Sequence, residues 1–173
     1  FDVLLTRDSR TQLDVGRAAE HLIYEISMLL LKDKELTEVM EPEVMRMFHW
    51  HAMEEIEHSS VCHDLYVYIY GESYFGRMKG FLMGGDIVIK SIRAIYEILM
   101  KKSIQDGVIT KSQSVSGWRS LWIPPHGIIA KSLLNSSGYA DPTFRPWHNF
   151  TRDLPLLEKT EKKMLETNPV VKQ

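Results

Sequence analysis

Most of the side chains that could do chemistry lie in one short segment. The segment His49–His63 reads HWHAMEEIEHSSVCH and holds four of the seven histidines, together with three glutamates. On a helix, at about 100° per residue, His51, Glu54, Glu55 and His58 fall on one face. Glu55 and His58 also have the (i, i+3) spacing by which helical bundles present a carboxylate and an imidazole to one metal ion. The segment therefore predicts a carboxylate–histidine metal site.

The remaining positions on this helical face are apolar. They are Val44, Met47, Phe48, Leu65 and Ile69. Imidazoles and carboxylates inside an apolar stripe are costly to bury without partners, and a metal ion is the simplest partner for a converging set. The alternative is that these groups are solvated, or are paired with Arg46 or with lysines.

A further carboxylate, Glu20, lies on the apolar face of an earlier helix. Its neighbours on that face are Leu13, Gly16, Ile23, Tyr24, Ser27 and Leu31. Because a glutamate in an apolar stripe needs a partner, we expect two antiparallel helices to place Glu20 against His51, Glu55 and His58. These four residues are the candidate metal ligands. In the alternative, Glu20 pairs with Arg17 at the edge of the bundle.

Other polar side chains are interpreted as structural. His21 and Glu25 lie off the Glu20 face, so we expect them at the surface or behind the metal ligands. Cys62 continues the metal face, but a buried free cysteine more often behaves as a small hydrophobic residue. His126 and His148 stand in proline-rich, irregular stretches and are expected to be structural.

Helices must position all of these residues. Apolar periodicity and the helix-breaking residues predict helices from Asp8 or Ser9 to about Lys32, from about Pro42 to Tyr70, over Tyr74–Lys102 with a loosening near Gly84–Gly85, over Trp118–Trp122, over Ile128–Asn135 and over about Leu154–Glu166. Little of the sequence alternates with a period of two. The expected fold class is therefore all-α, with an irregular proline-containing segment near the C-terminus.

Bulk properties are those of a folded globular domain. The chain has 173 residues, of which 44% are hydrophobic and 25% charged, so residues 1–173 are expected to form a single helical domain.

The net charge of -2 gives no electrostatic case for nucleic-acid binding. The most hydrophobic long stretch, Phe75–Met100, carries six charged residues, which argues against a stable membrane span. A single cysteine and the absence of a signal-peptide pattern in Phe1–Arg10 favour a cytoplasmic location.

Three segments resemble one known family. They are the run Trp50-His51-x-x-Glu54-Glu55-x-Glu57-His58 with the following Asp64-x-Tyr66, the segment Ala18-Ala19-Glu20-His21, and the segment Tyr139-x-x-Pro142-x-Phe144-Arg145-Pro146-Trp147. Together they are similar to the bacterial predicted metal-dependent hydrolases, although that family usually has His where Arg145 stands. The resemblance implies a ferritin-like helical bundle, a divalent metal such as iron or zinc, and a small-molecule substrate.

The resemblance also implies a longer protein. Members of the family carry an earlier segment with another Glu and another acidic–histidine pair, whereas only 19 residues precede Glu20 here. We therefore expect the chain to be the C-terminal part of a longer metal-binding domain, a partial bundle. A four-helix carboxylate site takes one Glu from each of two helices and a Glu-x-x-His pair from each of the other two. This chain would supply half of those ligands: Glu20, Glu55 and His58.

Three functions remain open. In a metal-dependent hydrolase, the metal would lower the pKa of a bound water molecule, and Glu54 would be the candidate catalytic base. In a non-haem di-iron oxidase or oxygenase, the same carboxylates and histidines would hold two irons. In a non-enzymatic helical bundle, Glu55 and His58 would be exposed and no metal would bind. A homodimer is compatible with each.

Overall fold

The structure is a computed structural model that describes residues 2–32, 41–123 and 127–167. Within these ranges it is helical and contains no strand, which confirms the all-α class. The helices are α1 (Asp2–Leu5), α2 (Ser9–Lys32), α3 (Pro42–Glu57), α4 (Val61–Tyr70), α5 (Tyr74–Gln105), α6 (Lys111–Ser120), α7 (Ile128–Asn135) and α8 (Pro146–Thr167), with a 3-10 segment over Ser136–Ala140 between α7 and α8. None of these helices is long and apolar enough to cross a membrane.

Helix α2 lies at the centre and packs against α3, α4, α5 and α7. One buried cluster joins α2, α3 and α8 through Tyr24, Met28, Ile56 and Leu157. A second joins α2 to the segment after α7 through Ala18, Tyr139 and Phe144. Because α2 has neighbours on several sides, its polar residues are buried together with its apolar ones.

Three glycines at four-residue spacing bring α5 close to α2. A Cβ atom at Gly80 would overlap the carbonyl oxygen of Asp14, and one at Gly84 would lie 3.1 Å from the Cβ of Ala18. At Gly76 it would lie 3.0 Å from the Asp14 carboxylate. Helix α5 continues through Gly84 and Gly85 without interruption, so the predicted loosening there is wrong. The glycines allow the close approach of two helices instead.

The single helix predicted over 42–70 is divided into α3 and α4. The Ser59 hydroxyl donates to the carbonyl of Ile56 at 2.7 Å, and Ser60 donates to Asp64 at 3.0 Å. Such hydroxyl groups compete with the helical hydrogen-bond pattern. The amide of Cys62 donates to the carboxylate of Glu20, which lies on another helix. These bonds end α3 and start α4.

Two predicted boundaries in the second half also differ. Helix α8 begins at Pro146 instead of Leu154, because a proline fits the first turn of a helix. It continues through Pro155, whose missing N–H leaves one carbonyl of the preceding turn without its usual partner. Helix α6 begins after Thr110, whose side chain accepts from the Gln113 amide in a capping box, and it ends at Ser120, where the sequence predicted a helix over 118–122. Helix α7 is confirmed at Ile128–Asn135, and His126 lies outside the described residues.

Candidate functional site

The buried side of α3 is not the side that carries the predicted ligands. Its buried residues are Met45, Ala52 and Ile56, and the same side continues into α4 as His63 and Tyr66. On a helical wheel this stripe lies about 120° from His51. The expectation that the His51 face is buried is therefore wrong.

The predicted ligands on α3 lie at the surface. The His51 side chain is 62% exposed and that of Glu55 is 32% exposed, while His58 is exposed as well. The His51 Nε2 and Glu55 Oε1 atoms are 3.4 Å apart, one helical turn from each other. The apolar neighbours on this face are exposed too, at 41% for Val44 and 58% for Met47. This side of α3 is therefore largely exposed, although Phe48 and Glu54 on it are half-buried.

The carboxylate of Glu20 is bonded to the start of α4. It accepts from the Cys62 amide with oxygen distances of 3.0 and 3.1 Å, where a negative charge also favours the helix N-terminus. Burial raises the pKa of Glu20, while the bonds from Cys62 lower it. His58 and Asp64 are near enough to act on Glu20 electrostatically. The alternative pairing of Glu20 with Arg17 is not observed.

Cys62 is a half-buried free thiol at the start of α4. Burial, followed by the neighbouring Glu20 carboxylate, raises the pKa of its thiol to about 12. The thiol therefore stays protonated at neutral pH, in the form that neither attacks electrophiles nor binds metals. Its sulfur packs against Gly16, where an added Cβ atom would lie 3.0 Å from it.

The described side chains do not assemble a complete set of metal ligands. Within residues 2–32, 41–123 and 127–167, no three His, Cys, Asp or Glu side chains converge closely enough to hold an ion. Of the four candidates, only His51 and Glu55 are in contact, with the Nε2 and Oε1 atoms 3.4 Å apart. Glu20 is moreover engaged by the Cys62 amide. The assignment of these four residues as ligands therefore stays a prediction.

Glu54, the candidate base, faces a groove between α3 and α8. The groove has a volume of about 410 Å³ and is lined by Glu54 together with Trp50, Met53, Phe150 and Leu157. It combines an apolar floor with carboxylates at its edge. This shape could take a small organic molecule beside the His51 face.

The most deeply buried charged groups were not predicted from the sequence. Arg17 and Arg77 have relative exposures of 1% and 0%, and His63 has 1%. The Arg17 Nη2 atom donates to Asp14 at 2.6 Å and to the Ser73 carbonyl at 3.1 Å. The guanidinium of Arg17 also lies 3.9 Å above the ring of Tyr66. The interior on this side of α2 is therefore strongly polar.

The carboxylate of Glu72 lies at the centre of this polar interior. Its Oε1 atom is 3.7 Å from Arg17 Nη1 and 3.7 Å from Arg77 Nε. Its Oε2 atom is 3.7 Å from His63 Nε2 and 3.8 Å from Arg145 Nη1. All four distances exceed the usual length of a hydrogen bond. We call Arg17, His63, Glu72, Arg77 and Arg145 the arginine cluster.

A polar cleft lies between α2 and the segment before α8. It has a volume of about 410 Å³, and its lining includes His21, Glu25, Arg145, His148 and Arg152. Sequence analysis placed His21 and Glu25 off the inner face of α2, but they are 5% and 8% exposed. The expected surface position is therefore wrong, because α2 is covered on more sides than a helix with a single buried stripe; a position behind the metal ligands stays a prediction.

His21 is held among aromatic rings at the inner end of this cleft. Its ring stacks on Tyr139 at 4.5 Å and meets Phe144 edge-on at 5.1 Å. Burial, with a smaller contribution from the charge of Arg77, lowers the pKa of His21 to about 3. The imidazole is therefore neutral at physiological pH.

Comparison with known proteins identifies the family. The family model described as "Predicted metal-dependent hydrolase" matches residues 2–149. The chain belongs to this family. No curated protein and no solved structure gives a significant match. The matched region of this hydrolase family contains the predicted ligands as well as the arginine cluster.

One sequence signal could have located the arginine cluster. The glycines at positions 76, 80 and 84 are spaced four apart, which places all three on one face of α5 and marks a close helix contact. The contact meets α2 at Asp14 and Ala18. Arg17 lies between these two positions, so it had to be covered by α5 and the turn before it.

Proposed function

We propose that this protein is a metal-dependent hydrolase that acts on a small molecule, with a divalent ion of iron or zinc bound at the Glu20, His51, Glu55 and His58 side chains. The observation that carries the proposal is the family match over residues 2–149. A further reason is the residue types, since carboxylates and imidazoles at helical spacing are a common ligand set for a divalent ion.

The exposed position of His51, Glu55 and His58 is compatible with this role. These side chains lie three and four residues apart, so a single helical face presents them together. When bound, the ion would lower the pKa of a water molecule and polarise an ester or amide. Glu54 is the proposed base, and its groove against α8 offers the substrate an apolar surface next to this face.

A non-haem di-iron oxidase on a ferritin-like bundle is the second candidate. The feature that favours it is the ligand chemistry, because helix-borne carboxylates with a Glu-x-x-His pair are the pattern of di-iron bundles. Glu20 and the pair Glu55 and His58 would supply half of such a pattern. A bundle without metal is the third possibility, and the exposure of Glu55 and His58 is what it predicts.

Elemental analysis of the purified protein tests the proposal directly. One zinc per chain with oxygen-independent cleavage of an ester or amide supports the hydrolase. Two irons per chain with an oxygen-dependent product support the oxidase. Absence of stoichiometric metal after loading with either ion would leave only the bundle without metal.

Matched variants test which residues bind the ion. His58→Ala and Glu55→Gln should each lower the metal content at least tenfold. Glu57→Gln is the control, because it makes the same chemical change two residues away, on another side of α3. Equal metal content in Glu55→Gln and Glu57→Gln would place the ion elsewhere. Circular dichroism of each variant separates loss of metal from loss of fold.

A further inference from the structure

We propose that the arginine cluster is a binding site for a small oxyanion, a carboxylate or a phosphate group, and that the Glu72 carboxylate occupies this site when no ligand is bound. The site is separate from the proposed metal ligands and does not depend on them. Three observations support it: unsatisfied buried donors, the position of Glu72, and the local balance of charge.

The first observation is a set of buried donors that have no hydrogen-bond partner among the described residues. The Arg77 Nη1 and Nη2 atoms donate to the carbonyls of Tyr139 and Asp141, both at 2.7 Å. Arg77 Nε, Arg17 Nε and Arg17 Nη1 remain without a hydrogen-bond partner, as do the two ring nitrogens of His63, one of which is a donor when the imidazole is neutral. Leaving a buried charged donor unpaired is costly, so native structures rarely contain several in one place. An oxyanion would accept from several of these donors at once.

The second observation is that Glu72 stands where such a ligand would bind but makes none of its bonds. Its two oxygens are 3.7 to 3.8 Å from four nitrogen atoms. Glu72 lies in the short link between α4 and α5, directly after Gly71, whose φ is +72°. Its side chain is 25% exposed. Glu72 can therefore turn towards solvent and leave the donors to a ligand that fits them more closely.

The third observation is an excess of positive charge. Arg17, Arg77 and Arg145 bring three positive charges against the two carboxylates of Asp14 and Glu72, which leaves a formal +1. The cluster also stands at the N-terminus of the 32-residue helix α5, where the helix dipole favours an anion.

The geometry of the donors selects the chemical class of the ligand. Planar guanidinium groups bind the paired oxygens of carboxylates and phosphates. Arg145 belongs to the arginine cluster and also lines the polar cleft, and its side chain is 34% exposed. A small organic anion could thus contact Arg145 from the cleft side. Carboxylate and phosphate share this chemistry, so the experiment compares the two.

The test measures binding of sodium phosphate and sodium succinate to the whole protein by calorimetry and by the thermal midpoint. Sodium chloride at matched ionic strength controls for screening of charge. The expected result for wild type is weak binding, because the ligand must displace Glu72. Glu72→Gln removes the competing charge, so the dissociation constant of the preferred anion should fall at least tenfold. Without added anion, the thermal midpoint of Glu72→Gln should be lower than that of wild type. Addition of the preferred anion should raise the midpoint of Glu72→Gln again.

Arg145→Met should raise the dissociation constant at least fivefold in either background. Arg119→Met, at an exposed position on α6, is the matched control and should leave binding unchanged. A preference for succinate assigns a carboxylate ligand, and a preference for phosphate assigns a phosphate ligand; either result supports the site.

Two results would overturn the proposal. One is stabilisation of Glu72→Gln by phosphate and succinate that does not exceed the effect of sodium chloride, which would make the cluster a structural ion network. The other is equal binding by wild type and Arg145→Met. This second comparison does not need Glu72→Gln to fold, so it decides the matter if that variant is unstable.

Discussion

His21 makes the stability of this protein depend on pH in a direction that can be measured. Its imidazole is 5% exposed and is enclosed by Tyr139 and Phe144. Protonation would place a charge among aromatic rings, near the guanidinium of Arg77. The folded state therefore resists protonation of His21 much more strongly than the unfolded state does.

The sign and the size of this pH dependence follow from the pKa values of His21 in the folded and the unfolded state. The pKa of His21 is about 3 in the folded state, against 6.5 for an unperturbed histidine. Below pH 6.5 the unfolded state binds a proton that the folded state does not, so the free energy of unfolding falls as the pH falls, down to about pH 3. At about 1.4 kcal/mol per pH unit, His21 should account for a loss of about 2 kcal/mol between pH 7 and pH 5.

The assay is urea unfolding of wild type and His21→Gln at pH 7 and pH 5, in buffers free of carboxylate and phosphate. Asp14, Glu20 and Glu25 have pKa values raised by burial and act in the opposite direction, so the difference between the two proteins is the informative quantity. We expect His21→Gln to lose about 2 kcal/mol less than wild type over this range.

The same substitution at the exposed His148 is the control and should leave the pH dependence of wild type unchanged. Equal losses in wild type and His21→Gln would refute the reasoning. In that case the folded protein would accept a proton on His21 at pH 5, and the ring would not be enclosed as described.

Substitutions at three further positions test the packing around α2 by urea unfolding. Gly80→Ala should destabilise the protein by about 2 kcal/mol or more, because the new Cβ atom would overlap the carbonyl of Asp14. Gly85→Ala, whose new Cβ atom would lie 3.8 Å from its nearest neighbour, should instead stabilise α5 by about 0.5–1 kcal/mol. Unchanged stability in Gly80→Ala would contradict the close approach of α5 to α2. Glu20→Ala should lower the free energy of unfolding by about 1–2 kcal/mol, because the Cys62 amide loses its acceptor. Glu20→Gln keeps an acceptor and should retain most of the stability. Unchanged stability in Glu20→Ala would show that this bond does not stabilise α4.

The helices were largely predictable because local signals define them. The periodicity of the first forty residues predicted α2 from Ser9 to Lys32, and Pro42 and Gly71 were recognised as the start and the end of helical segments. The break between α3 and α4 was not predictable in the same way. It depends on Glu20, which is far away in the sequence and supplies the acceptor for the Cys62 amide.

The face of α3 that meets the core was not predictable from α3 alone. Apolar residues occur on two of its sides, with Met45 and Ile56 on one and Val44 and Met47 on the other. A wheel shows that both stripes exist but not which of them packs against α2. The clustering of His51 and its neighbours made one stripe conspicuous, although the other is the buried one.

By itself, the sequence determined the helical class and the family, because both depend on residue type and on spacing within single segments; the metal ligands that it suggests stay a prediction. The tertiary structure alone decided that Arg17, His63, Arg77 and Arg145 meet around Glu72. Arg17, His63 and Arg77 lie on α2, α4 and α5. Glu72 lies in the link before α5 and Arg145 directly before α8, so no pattern within a single segment relates the five residues. They are brought together because the glycines of α5 let it approach α2 closely, which buries Arg17 and Arg77 beside that contact, with the Glu72 carboxylate 3.7 Å from each.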